Sequence, residues 1–202
     1  MSDILISHIS LKGSRNYIHG TDIYQWCAEL LPILAPSQQI ASLSLEFHRL
    51  ALSQLALPLS DNQASRFSHQ KPCTTLRIKI ANERKDYHFF ESGLPPAGSR
   101  PYDESLIAKE CQLDGQSVTR PGPPSLKPIE SLVSMTKALH QLLFGANTQW
   151  LWAKIEAPKP LPPQGWEHTA TIRMKQNLAG RFTVSEAFVD DTFVGLIYFS
   201  KR

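Results

Sequence analysis

The reading of the fold turns on residues 21–47, TDIYQWCAELLPILAPSQQIASLSLEF. Ile23, Trp26, Cys27, Leu30 and Leu31 recur at the three- and four-residue spacing of a helix with one buried face. Thr21 offers a side-chain oxygen to the free N–H groups of a helix start, and Asp22 stands favourably against the helix dipole. Pro32 and Pro36 are expected to stop the pattern. Beyond them Leu43, Leu45 and Phe47 alternate along one face of a strand. The segment therefore predicts a short, core-facing helix that hands over directly to a sheet.

Working outward, Ile4–Leu11 reads as a strand before the helix. After it, Leu50–Leu59 extends the strand pattern, Ser60–Lys71 is a polar loop, and Thr74–Ile80 and Asp86–Glu91 are further strands. The prolines of Gly93–Pro101 cannot donate to a ladder, so that stretch is a loop before a strand at Ser105–Leu113. The second half follows the same plan. Pro128 suits a first helical position, Ile129, Leu132, Val133, Thr136, Leu139 and Leu143 form a stripe, and Gly145 closes it. A strand with Trp150 and Trp152 on one face comes next, then the proline-rich Ala157–Pro163. Strands follow at Thr169–Gln176, Arg181–Phe188 and Phe193–Phe199.

A helix followed by four strands thus occurs twice. Thr75-Leu-Arg-Ile-Lys79 recurs as Thr171-Ile-Arg-Met-Lys175, and Asp103-Glu-Ser-Leu-Ile-Ala108 as Asp190-Asp-Thr-Phe-Val-Gly195. The second offset is shorter by the length of the Gly93–Pro101 loop, which reads as an insertion in the first copy. The expected units are 1–115 and 116–202, packed as one α+β domain.

Composition narrows the function classes. The chain has 202 residues, 42% hydrophobic and 19% charged, an ordinary soluble balance with a core of useful size. A net charge of +3, with basic residues scattered, gives no electrostatic footprint for nucleic acid. Cys27, Cys73 and Cys111 are an odd set without a CxxC pair and suit free thiols in the cytoplasm. No signal peptide or membrane span is expected.

A strand, a helix that later strands wrap, and a run of antiparallel strands in units of about 100 residues resemble the hotdog fold, here as a double hotdog of the thioesterase and thiol ester dehydratase superfamily. The resemblance covers nearly the whole chain, and it is one of topology. It implies two units paired as an internal pseudo-dimer and an acyl-CoA or acyl carrier protein thioester as ligand, with no cofactor and no metal. The reaction it implies is thioesterase-like or 3-hydroxyacyl dehydratase-like. A second class stays open: a non-catalytic hotdog module serving as an acyl-ligand sensor or assembly subunit, alone or as a homo-oligomer. The HxxxGxxxxP spacing of the dehydratases is absent, because Gly20 directly follows His19. The Asp preceding a Gly-His-Val-Asn run is absent too, and the second helix lacks an Asp followed four residues later by Gln or His.

The resemblance places a catalytic or carbonyl-polarising group just before the first helix, where His19 and Gly20 stand. His19 serves there as a base or as the end of an exposed turn. Asp22 orients His19, activates water or answers the dipole, and Glu29 is a helix carboxylate or a solvent-facing one. Trp150 and Trp152 line an acyl tunnel or fill a core, and Arg100 ends a loop suited to a phosphate-bearing carrier. His140, on the apolar side of the second helix, reads as a satisfied core residue. His8, His48, His69, His88 and His168 show no paired ligand spacing.

Overall fold

A computed structural model of the chain describes residues 4–123, 126–145, 148–161 and 169–202. Pro162, Pro163 and His168, used in the reading above, lie outside the described residues. The chain separates into two compact units, Met1–Tyr102 and Asp103–Arg202.

The first unit runs β1 (Ile4–Ile6), β2 (Leu11–Lys12), α1 (Gly20–Leu34), β3 (Ile40–Phe47), β4 (Leu55–Pro58), α2 (Asp61–Ala64), β5 (Thr74–Ile80), β6 (Glu83–Glu91) and β7 (Ser99–Arg100). Its antiparallel sheet has the order β1-β4-β6-β5-β3. Leu43, Leu45, Leu57, Leu76, Ile78 and Phe89 are buried in the sheet, and Ile23, Cys27, Leu30 and Leu31 of α1 are buried with them. Trp26 meets Phe89 edge-on at 5.4 Å, and the Tyr87 hydroxyl donates to the Leu34 carbonyl. The helix runs through Pro32 to Leu34, further than expected. Pro32 lies in the last turn, where the buried Leu30, Leu31 and Leu34 hold the helical path against one lost N–H.

The expected single strand at Ile4–Leu11 is two. Between β1 and β2 the buried Gln54 amide takes the place of a neighbouring strand. It accepts from the Ser7 hydroxyl at 2.7 Å and the Ile9 N–H at 2.9 Å, and it donates to the Ile9 carbonyl at 2.8 Å. The segment then turns away to form a parallel pair with β7, in which Leu11 faces Ser99 and Lys12 faces Arg100. The loop at Gly93–Pro101 therefore contains a strand, tied back by Leu11 N–H to Gly98 O and Gly13 N–H to Arg100 O, both 2.8 Å. Only Leu55–Pro58 of Leu50–Leu59 is extended, and the polar loop holds α2 and a 3₁₀ turn at Ser65–Phe67.

The second unit runs α3 (Ser105–Glu110), β8 (Gln112–Asp114), β9 (Ser117–Arg120), α4 (Pro128–Phe144), β10 (Trp150–Ala157), β11 (Ala170–Leu178), β12 (Phe182–Val189) and β13 (Thr192–Lys201). Its antiparallel order is β10-β13-β12-β11-β9-β8. α4 opens at Pro128 and closes at Gly145, whose φ of 88° suits glycine, and it packs on β9, β10 and β11. The strand expected at Ser105–Leu113 is α3 followed by β8. Asp103 Oδ1 accepts the Ser105 N–H at 2.9 Å, and Ile107 alone turns fully inward while Leu106 stays exposed.

Helix then four strands holds in both units, but the short sequence matches do not mark equivalent places. Thr75–Lys79 lies in β5 between β3 and β6, so its outer neighbour is the strand after the helix. Thr171–Lys175 lies in β11 between β9 and β12, so its outer neighbour is the strand before the helix. Residues 103–108 enter α3, whereas Asp190 and Asp191, with φ of 46° and 61°, make the turn between β12 and β13. A five-residue alternation records strand geometry, which many strands of one sheet share.

Candidate functional site

The start of α1 gathers the charged residues of the first unit's interior. His19 precedes the helix, and its carbonyl accepts the N–H groups of Asp22 and Ile23 at 3.0 and 3.2 Å. The helix thus begins at Gly20, earlier than Thr21 implied, and Thr21 lies inside the first turn. The Thr21 hydroxyl does not cap the backbone. It lies 2.7 Å from Lys12 Nζ and 2.8 Å from His19 Nδ1.

Lys12 is 0% exposed, an unusual setting for an ammonium, which needs close partners to offset its lost hydration. Asp22 Oδ1 is 3.1 Å from Nζ, and the Tyr102 ring centroid lies 4.6 Å away. The register of β2 on β7 explains the meeting: Arg100, opposite Lys12, donates to the same Asp22 Oδ1 at 2.8 Å. Arg15 stands 5.3 Å from the Tyr102 ring, and His19 meets that ring at 5.8 Å. Asp22 Oδ2 is buried without a hydrogen-bond partner, so one carboxylate oxygen is held by two cations and the other by no donor.

Of the residues expected at a site, the structure brings His19, Asp22 and Arg100 together, with Gly20 opening the helix beside them. Glu29 is exposed, with the Gln25 amide donating to it at 3.2 Å, and the structure does not bring it to the cluster. Lys12, Thr21 and Tyr102 are the members that sequence reasoning missed. No local pattern in Leu11–Arg15 marks the lysine as buried, and the pairing of β2 with β7 supplies its setting.

In the second unit Trp150 is buried against His140, ring centroids 4.6 Å apart, while the Trp152 indole N–H donates to the Lys154 carbonyl. His140 is fully buried on α4. Its Nε2 lies 2.9 Å from Thr183 Oγ1, its Nδ1 has no partner, and burial pushes its pKa down to about 4. Glu130 Oε2 accepts the Lys127 N–H at the start of α4. Burial raises the Cys27 thiol and lifts Cys73 and Cys111 to about 11, so the three remain thiols at neutral pH. Among the described residues no three His, Cys, Asp or Glu side chains gather as metal ligands, and no helix is long and apolar enough to cross a membrane.

No family model matches the sequence, and no curated protein matches it. Solved structures do resemble it. A protein of Thermobifida fusca YX, designated a candidate thioesterase II, aligns with a TM-score of 0.54 at 9% identity, over 100% of this chain and 93% of its own. The tesB protein of Mycobacterium avium subs paratuberculosis aligns with a TM-score of 0.53 at 10% identity, over 98% and 93%. At such identity the likeness speaks for the fold, which is the tandem hotdog.

Proposed function

We propose that this tandem-hotdog chain binds an acyl thioester of coenzyme A or an acyl carrier protein at the start of α1 and hydrolyses it. The observation that carries the reading is Asp22: nine-tenths buried, fixed at Oδ1 by Lys12 and Arg100, with Oδ2 unpartnered. An unpartnered, oriented carboxylate oxygen beside a histidine suits the positioning of a water molecule. In the proposed step that water adds to the thioester carbonyl carbon and gives its proton to Asp22 Oδ2. The C–S bond then breaks, and the proton passes to the departing thiolate, leaving a carboxylic acid and a thiol. The designation of the Thermobifida fusca relative as a candidate thioesterase agrees with this chemistry. Trp150, buried against His140, and Trp152 take no part in the proposed step.

A second reading has its own support. Asp22 is also the counter-ion of a fully buried lysine, and that use alone accounts for its position. On that reading the chain is a binding module without turnover.

The test is turnover of saturated, enoyl and 3-hydroxyacyl thioesters of coenzyme A and carrier protein, following free thiol and enoyl absorbance together. Thiol release that falls by about 10²–10⁴-fold in Asp22→Asn is expected. An enoyl signal would replace the hydrolase reading with a dehydratase. Silence across the panel, with thermal stabilisation by a thioester, would leave the binding module.

A further inference from the structure

His48 and His88 are far apart in sequence, and the sheet of the first unit brings their rings to one hydroxyl. Glu46 of β3, Thr75 of β5 and His88 of β6 stand directly opposite one another, so they share a face of the sheet, and Leu45, Leu76 and Tyr87 share the other. His48 lies one residue past β3, where its N–H still donates to the Cys73 carbonyl at 2.8 Å. Its Nε2 is 2.8 Å from Thr75 Oγ1, and His88 Nδ1 is 3.1 Å from the same oxygen. Both histidines are exposed. Thr75 has a single hydroxyl hydrogen, so while both rings are neutral it can donate to one of them only and must accept an N–H from the other.

We propose that His48 Nε2 and His88 Nδ1 form a binding site for a divalent transition metal ion of the zinc class, with the Thr75 hydroxyl and water filling the remaining positions. Imidazole is a ligand that zinc, nickel and copper ions share. Ligand atoms that each lie about 2.1 Å from one ion stand about 3 Å from one another, which is the spacing of both ring nitrogens from Thr75 Oγ1. The ion does what the hydroxyl hydrogen cannot, accepting a lone pair from both rings at once. Each ring then carries its proton on its other nitrogen. For His48 that nitrogen is Nδ1, which faces Glu46 Oε1 at 4.0 Å, and a carboxylate behind a ligating histidine orients the ring and strengthens it as a ligand. Arg77 holds Glu46 Oε2 at 2.6 Å and Asp86 at 3.2 Å, so the carboxylate is fixed and the guanidinium charge is answered. Two imidazoles with water in the open positions make an exchangeable site and not a closed structural one. The site lies on residues that the acyl-thioester reading does not use, and it stands or falls apart from that reading.

The experiment is a calorimetric titration of the full chain with zinc at neutral pH, after stripping with a chelator. The parent is expected to take up one ion with micromolar affinity and to melt at a higher temperature when zinc is present. His48→Ala and His88→Ala should each weaken uptake by more than about 10-fold, and Glu46→Gln by about 10-fold. His69→Ala and Cys111→Ser, which alter exposed or half-exposed metal-binding side chains elsewhere, should leave it unchanged. Uptake that survives either variant of the histidine pair, that disappears in His69→Ala or Cys111→Ser, or that never saturates in the parent would overturn the site. If a histidine variant does not fold, the ¹⁵N spectrum of the histidine-labelled parent decides. Zinc must then shift the rings of His48 and His88 together, and a shift confined to other histidines would overturn the proposal.

Discussion

His19 of the first unit and His140 of the second are both buried, and each lies within 3 Å of a threonine hydroxyl, at 2.8 and 2.9 Å. Their surroundings part them. His140 is packed among Phe144, Trp150 and Phe199, with ring centroids 5.8, 4.6 and 5.0 Å away, and its Nδ1 has no partner. His19 stands at a helix start with Lys12, Asp22 and Arg100 on the same short network. Two buried histidines are thus told apart by what their threonines are bonded to. Thr183 leads into an apolar core, and Thr21 leads to an ammonium.

The largest expected effect comes from separating Lys12 from its carboxylate. Asp22→Asn takes a carboxylate away from a fully buried ammonium and should cost about 3–5 kcal/mol, read from the urea midpoint. Lys12→Met alone should cost less, because Arg100 still pairs with Asp22. The double variant Lys12→Met with Asp22→Asn should regain much of the loss. An additive double variant would mean that the two side chains do not act as a pair, and the contrast between the two units would lose its electrostatic basis.

His140 sharpens the comparison through pH. Its folded pKa is near 4, below the ordinary histidine value of 6.5, because burial disfavours the charged ring. Between those values the unfolded chain binds the proton and the folded chain does not. Stability is therefore full above pH 6.5 and falls as pH drops toward 4, by ~3 kcal/mol at most. His140→Met should flatten that part of the profile in urea melts from pH 7 to 4.5. Asp86, held at about 2 by Arg84 and Arg77, has its window lower, from its ordinary 3.8 downward, and does not blur the result. An unchanged slope in His140→Met would show that the ring is not the apolar filler described.

What the sequence discloses follows from the range of the forces involved. Both long helices, Pro128 at the start of α4 and Gly145 at its end were legible, because periodicity and caps act within a few residues. His19 and Asp22 were legible as neighbours of a helix start. Lys12 was not, since its burial depends on β7, almost 90 residues away, and a short parallel pair leaves no local pattern. Ser105–Glu110 misled for the opposite reason: six residues with one inward side chain fit a strand as well as a helical turn and a half. The Thr75 and Thr171 matches misled because alternation alone does not say which strand of a sheet it belongs to.

The smallest of these effects concerns how each unit holds the chain ahead of its helix. In the second unit β9 is flanked by β8 and β11, and backbone ladders secure it. In the first unit the matching stretch leaves the sheet after β1, and one side chain, Gln54, supplies both the donor and the acceptor for Ile9. Gln54→Ala should cost about 2 kcal/mol, because it strands the buried Ile9 N–H and the Ser7 hydroxyl hydrogen, while the Ile9 carbonyl keeps the Ala97 N–H and every charge stays in place. Amide exchange should quicken at Ile9, Leu11 and Gly13, and it should stay unchanged in β9. If exchange at Ile9, Leu11 and Gly13 does not quicken, the bonds from Leu11 N–H to Gly98 O and Gly13 N–H to Arg100 O hold the segment without Gln54.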